Sequence, residues 1–489
     1  MSTTAATGFC RVTVVAPDSR IDVALPEDIA VADVYPEILR LTGQTQAAGT
    51  PTGYHLVRRD GSVLDGARTL AAQQVLDGEV LSLRPFAQSL PPAVYDDVSD
   101  AVASAVTRDR HLWSDELLRG AGLVGGVLLL VLMGFVLWFA DPVRHDMHSL
   151  PGIIAGAAGL LLTAFAGVRA RVYADRATAV ALGLGALPLL LIAGSGIIAA
   201  DAGQGPGRLQ FLLGSVTVLV ASVALVALTP SGDAPFVAAT FLAGVGTLAT
   251  FLEILTETSA TETAAVCAPV AIGLVAFLPG LSARFARLPI GYAAPRSAAD
   301  DEFSGEQQGE EAQPVDGERI ALQARRGHEM LLGLVGGCAA VVVGSAAVLG
   351  FAGNVWGQFL ALAAGLAMLL RARLFRYTSQ VACVLVAGIA AIALLVLGLS
   401  LNPPADLVKD LLMYGDRGGL DVRTIWLTAA VAAGAALITA IGLIIPKKGL
   451  SPFWGRLLDL TEGFVLLSLV PLCLAVLDVF TSVRALTSK

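Results

Sequence analysis

Side-chain catalysis needs nucleophiles, bases or metal ligands at fixed spacings, and the reactive residues of this chain are few and scattered. None of its five histidines (His55, His111, His145, His148 and His328) belongs to an HExxH zinc motif. His145 and His148 share a segment with Asp141 and Asp146, a nitrogen and oxygen set that could hold a metal ion weakly. A solvated loop is the simpler reading of those four residues. The five cysteines, Cys10, Cys267, Cys338, Cys383 and Cys473, show no CxxC or Cys/His spacing, so neither a disulfide framework nor a zinc site is expected. Only four lysines occur, Lys409, Lys447, Lys448 and Lys489, and none follows the GxxxxG of a phosphate-binding loop. The chain is therefore expected not to be an enzyme and to carry no cofactor.

The elements that hold these residues are mostly membrane spans. Of 489 residues, 55% are hydrophobic and 15% charged, against about 25% charged in soluble domains. The apolar residues fall in runs of about 20, the length that crosses the hydrocarbon layer. Eleven spans are predicted, near 120–140, 150–168, 177–199, 209–229, 235–252, 262–280, 329–350, 354–370, 378–400, 424–445 and 460–480. Coupled transporters and pumps carry ionisable residues at mid-bilayer. Here Glu253, Glu262, Asp459, Glu462 and Asp478 all fall at span ends. Pro188, Pro269 and Pro471 are candidate kinks, and Gly194-Ser195-Gly196 a candidate loosening of the third span. Four GxxxG pairs, starting at Gly122, Gly152, Gly333 and Gly353, are candidate close contacts between helices. With a net charge of −8 and no basic stripe, nucleic acid is not an expected partner; membrane lipid is.

Residues 1–86 read as a separate soluble domain. Cys10, Val12 and Val14 alternate with Arg11 and Thr13, and Ile21, Val23 and Leu25 alternate again, as half-buried strands do. Val31, Val34, Ile38 and Leu41 step along one face of a helix, with Pro36 expected near its first turn and Gly43 ending it. Tyr54 and Leu56 predict a third strand, Val63 and Leu64 a short fourth, and Glu79–Arg84 a last one after the Asp77-Gly78 turn. The ββαββ order resembles ubiquitin. Conjugation would need a free C-terminal glycine pair, and here Arg84-Pro85-Phe86 runs on into more chain, so a binding module is expected. On the face opposite Tyr54 and Leu56, His55, Val57 and Arg59 are expected to be exposed, with Arg58 and Arg59 as candidate partner contacts. Residues 87–119 are a linker in which Val94, Val98, Val102 and Val106 recur every four residues, the mark of an amphipathic helix.

The first long apolar run starts near Gly120, too late for a cleavable signal, so the first hundred residues are expected to stay on the side of synthesis. With the N-terminus inside, the inner segments carry 18 basic residues and the outer ones 7. The positive-inside rule then puts the N-terminus in the cytoplasm and the C-terminus outside. The longest loop, 281–328, becomes cytoplasmic. Between 300 and 318 it holds eight acids and no bases, and its Asp300, Asp301 and Glu302 are candidate contacts for basic partner surfaces. In the outer loop 401–423, Leu407, Leu411 and Leu412 sit at helical spacing.

A ubiquitin-like domain, a charged helical linker and eleven spans with a long loop after the sixth resemble the EccD family of actinobacterial type VII (ESX) secretion systems. Phe9–Val14, Ile21–Pro26, Val75–Leu81 and Arg287-Leu288-Pro289-Ile290 are similar to that family's segments. The resemblance implies a mixed fold, a β-grasp domain followed by an all-α polytopic membrane domain over 120–489, in the bacterial inner (plasma) membrane. It also implies a non-catalytic subunit of a complex with EccB, EccC and EccE, two EccD copies, and energy supplied by the ATPase EccC. The alternative is a self-sufficient permease with a regulatory ubiquitin-like domain.

Overall fold

A computed structural model of the protein describes residues 8–17, 19–43, 53–85, 114–140, 147–200, 205–229, 234–286, 317–448 and 451–487. The chain divides into two compact units, Met1–Trp113 and Ser114–Lys489. The proposed linker helix lies in 86–113, outside the described residues, as do Asp300, Asp301 and Glu302.

In the first unit, β1 (Phe9–Val15) and β2 (Arg20–Pro26) form an antiparallel hairpin with Val12 opposite Val23. Helix α1 (Val31–Leu41) follows, then β3 (Tyr54–Val57) and β4 (Glu79–Pro85). The sheet order is β2-β1-β4-β3, with β1 and β4 parallel at its centre and Val14 opposite Leu81. Parallel neighbours need a crossover connection. α1 lies in that connection and buries Val31, Val34 and Ile38 in one core with Val12, Val14, Leu56 and Leu81. Gly43 ends it with a φ of +71°. Pro36 stands one turn deeper than expected, in the second turn. The short fourth strand is reduced to an isolated bridge between Val57 and Val63. This is the ubiquitin-like arrangement.

The second unit is helical: α2 (Asp115–Trp138), α3 (Leu150–Arg171), α4 (Arg176–Ser195), α5 (Arg208–Leu228), α6 (Ala234–Thr256), α7 (Ala260–Val275), α8 (Leu278–Phe285), α9 (Gly317–Phe351), α10 (Val355–Arg371), α11 (Thr378–Leu401), α12 (Ala405–Tyr414), α13 (Gly418–Lys448), α14 (Pro452–Val476) and α15 (Val479–Thr487). Among the described residues, 10 helices are long and apolar enough to cross a membrane, or 11 when the pair α7–α8 counts as one. They fall where the apolar runs predicted them. The sixth is not a straight span, however: α7 and α8 are bent by 66°. The cause is local. Pro279, in the first turn of α8, has no N–H to donate, and in a continuous helix its ring would meet the carbonyl of Val275. Pro188, Pro269 and Pro471 lie inside unbroken helices, and Gly196 caps α4. Leu407 and Leu411 belong to α12, which Gly415 ends in the left-handed conformation.

Helix α9 is the hub, packed against α6, α7, α8, α10 and α11. Glycine lets it approach. A Cβ on Gly333 would lie 2.6 Å from Val237 Cβ, and one on Gly337 would lie 2.7 Å from Phe241 Cβ, so that GxxxG pair is a real contact with α6. A Cβ on Gly122 or Gly126 would meet nothing within 4 Å, and both are exposed, so their pair faces outward. Across the α10–α11 contact, a Cβ on Gly365 would lie 2.7 Å from Ile392 and one on Gly388 2.9 Å from the Gly365 carbonyl. Overpacking of this kind costs about 1–3 kcal/mol. Gly388→Leu should lower the thermal unfolding midpoint of the detergent-solubilised protein, whereas Gly434→Leu, where a Cβ meets nothing within 4 Å, should not. Equal midpoints for the two variants would show that the α10–α11 contact does not need close backbone approach.

Candidate interaction surfaces

The two candidate arginines of the first unit turn out to have different surroundings. β3 stops at Val57, and the chain turns through Arg58–Gly61, where Gly61 N–H donates to the Arg58 carbonyl at 3.0 Å. Arg59 is therefore exposed at a turn, not on a sheet face. Arg58 folds back: its Nε lies 3.4 Å from Glu79 Oε1, and its Nη2 donates to the Gln73 carbonyl. It ties the turn to β4 and has little left to offer a partner. The expectation of an open face at His55 and Val57 is also corrected, since they are only 4% and 5% exposed. The returning strand-like segment is one physical reason. Arg58 N–H donates to the Ser62 carbonyl at 2.8 Å, and Leu64 N–H donates to the Leu56 carbonyl at 2.8 Å, covering the outer edge of β3. Burial pushes the Cys10 thiol above its usual range, as suits an inert core residue. Tyr35 is shifted upward by burial as well, while its hydroxyl accepts the Leu56 N–H at 2.9 Å.

In the second unit ion pairs join neighbouring helices. Asp175 caps α4 and pairs with Arg119 at 2.5 Å and Arg169 at 3.7 Å, joining α2, α3 and α4. Its hydrogen bonds from Thr178, aided by those arginines, hold its carboxyl below the usual range. Arg176 reaches Glu329 at 3.1 Å, and Arg373 reaches Asp459 at 3.1 Å and Glu462 at 3.0 Å. Arg171 donates to the Leu228 and Ala227 carbonyls at 2.9 and 2.6 Å, at the C-terminal end of α5 where a cation is favoured. Arg371, the last residue of α10, is buried, with Nε and Nη1 lacking hydrogen-bond partners among the described residues. Nothing in its sequence neighbourhood sets it apart from Arg373 and Arg376.

No group of three or more His, Cys, Asp or Glu residues able to hold a metal occurs among the described residues. Asp141, His145 and Asp146 lie outside them. What the second unit does offer is bare apolar helix. None of the most apolar stretch of α13 is buried, and only 6% of that of α2 is. Ala432 and Ala436 of α13 are exposed.

The sequence profile described as EccD-like transmembrane domain matches residues 118–486. The chain belongs to the EccD family. A second profile, described as the YukD protein of the WXG100 protein secretion system (Wss), matches residues 9–83, the ubiquitin-like unit. The EccD-family chain is 27% identical to the ESX-4 secretion system protein eccD4 of Mycobacterium tuberculosis strain CDC 1551, over 98% of each chain. The eccD4 of strain H37Rv gives the same values. Two solved structures share its fold. The structure of protomer 1 of the ESX-3 core complex has a TM-score of 0.56 at 19% identity, covering 97% of this chain and 100% of that one. The MycP5-free ESX-5 inner membrane complex, State II, has a TM-score of 0.51 at 22% identity, covering 88% and 99%.

The two arginines of the turn can be separated by experiment. Arg58→Glu sets a carboxylate against Glu79 and should destabilise the ubiquitin-like unit by about 1–3 kcal/mol. Arg59→Glu should leave its folding unchanged and weaken the assembly recovered from membranes. Normal assembly in the Arg59→Glu variant, judged by size-exclusion chromatography of the extracted complex, would place the docking contact elsewhere.

Proposed function

We propose that this chain is a non-catalytic structural subunit of a type VII secretion inner-membrane complex, supporting protein export driven by a partner ATPase. The observation that carries the reading is α13, a helix of spanning length with none of its most apolar stretch buried. Helices gain little from leaving lipid unless they pack closely. A bundle that keeps such a helix bare is well suited to assembly. Exposed Ala432 and Ala436, followed by Ala440 one turn on, supply a smooth face for a second EccD copy. EccB-, EccC- and EccE-like subunits are the other proposed partners. Arg59 and the acidic Asp300, Asp301 and Glu302 are the proposed cytoplasmic contacts, with Arg58 in a supporting place. The proposed division is a cytoplasmic domain over 1–86, a linker over 87–119 and the membrane domain over 120–489 with its acidic loop 281–328. The permease alternative is the less favoured reading, because among the described residues Glu253, Asp459 and Glu462 are paired with Arg208 and Arg373. Native mass spectrometry of the complex extracted in mild detergent should find two copies of this chain with the other subunits. A chain that comes out alone and moves a solute in liposomes would overturn the reading.

The same proposal puts the N-terminus in the cytoplasm and the C-terminus outside, on the asymmetry of 18 inner against 7 outer basic residues. Single-cysteine variants at Ser2 and Ser488, treated with a membrane-impermeant maleimide on intact spheroplasts, should be labelled at 488 only. Labelling at position 2 alone would reverse the topology.

A further inference from the structure

A groove opens in the second unit where the N-terminal ends of α5 and α7 meet the C-terminal ends of α6 and α9. It has a volume of about 650 Å³. Phe211, Val245 and Val341 give it apolar walls, and Gly344 forms part of the α9 side. Its polar end carries Arg208, the first residue of α5, and Glu253, in the last turn of α6. Arg208 Nε lies 3.1 Å from Glu253 Oε1, and its Nη1 donates to the Glu253 carbonyl at 3.3 Å.

Size and depth select the occupant. Along α6 the lining runs from Leu242 to Glu253, about 16 Å at the helical rise. That is about half of the hydrocarbon layer, the depth of one leaflet. An acyl chain is narrow enough to run the full length of the groove.

The polar end selects the headgroup. The Arg208 side chain is 42% exposed, and its two contacts with Glu253 leave further N–H donors for a phosphate. The Glu253 side chain is 13% exposed and places a carboxylate beside the same opening. A lipid bearing only negative charge would have to face that carboxylate. A zwitterion matches both groups. We propose that this groove binds one phospholipid with an amine-bearing headgroup, its phosphate on Arg208, its ammonium on Glu253 and one acyl chain between α6 and α9.

The test uses the full chain, extracted from bacterial membranes and exchanged exhaustively into a lipid-free non-ionic detergent. Retained lipid is then extracted and counted per chain by mass spectrometry. The wild type should keep about one phospholipid, enriched in phosphatidylethanolamine relative to the source membrane. A Cβ on Gly344 meets nothing within 4 Å, so a large side chain there has room to enter the groove. Gly344→Phe should lower retention at least fivefold while the protein stays monodisperse; Gly434→Phe is the control. Glu253→Gln removes charge without adding bulk, and should abolish the preference for the amine headgroup while leaving lipid bound. Retention equal in wild type and Gly344→Phe, detergent alone in the wild type, or a headgroup preference that survives Glu253→Gln would each overturn the proposal.

Discussion

Within the bilayer the structure depends on how closely helix backbones can approach. A soluble bundle gains from taking apolar side chains out of water, but a span already surrounded by lipid tails has no such gain left. What remains is dispersion between surfaces that fit, and it falls away over a gap of an ångström or less. The long helix α9 meets this condition with small residues on the side that meets α6. There Gly333 and Gly337 admit Val237 and Phe241 to distances that a side chain would forbid. The α10–α11 contact uses the same device with glycines on both helices.

Such packing says how near two helices come but fixes their vertical register weakly, since one small-residue face can slide along another. Ion pairs between helices supply the missing constraint. Arg176 with Glu329 joins α4 to α9, Arg208 with Glu253 joins α5 to α6, and Arg373 with Asp459 and Glu462 joins the end of α10 to α14. Each pair links different helices, and Arg176, Arg208 and Glu253 sit in the first or last turn of theirs, where full charges escape the cost of mid-membrane burial. Exposed pairs are worth little in stability. Their value here is positional, because a slip of one turn, about 5.4 Å, would break every one of them.

The sequence made these two levels legible to different degrees. Eleven apolar runs mark the spans because a helix must be about 20 residues long to cross the layer, whatever it packs against. Alternation in β1 and β2 and the three-four step of α1 likewise follow from local geometry. Contacts between distant residues leave no such trace. Arg58 and Arg59 are neighbours with the same chemistry, yet one is bound to Glu79 and the Gln73 carbonyl and the other is exposed. Periodicity could not separate them, because the difference depends on where β3 stops. The closed edge of β3 was hidden for the same reason: it is made by Ser62–Leu64 returning along it. The bend between α7 and α8 was within reach, since Pro279 was visible, but Pro188, Pro269 and Pro471 sit in helices that stay unbroken. A proline removes one hydrogen bond; surrounding packing decides whether the helix breaks.

The uneven use of surface follows from the same physics. Half of the most apolar stretch of α9 is buried and 56% of that of α10, against none for α13. The core of the unit is therefore complete without α13, and its exposed alanines do not help to hold the described helices together. Lipid can cover such a face, so its exposure costs the lone chain little. For the same reason a partner gains little by covering it unless its own surface is equally smooth. Contact between such smooth spans depends on shape, because neither surface carries a charge to pair.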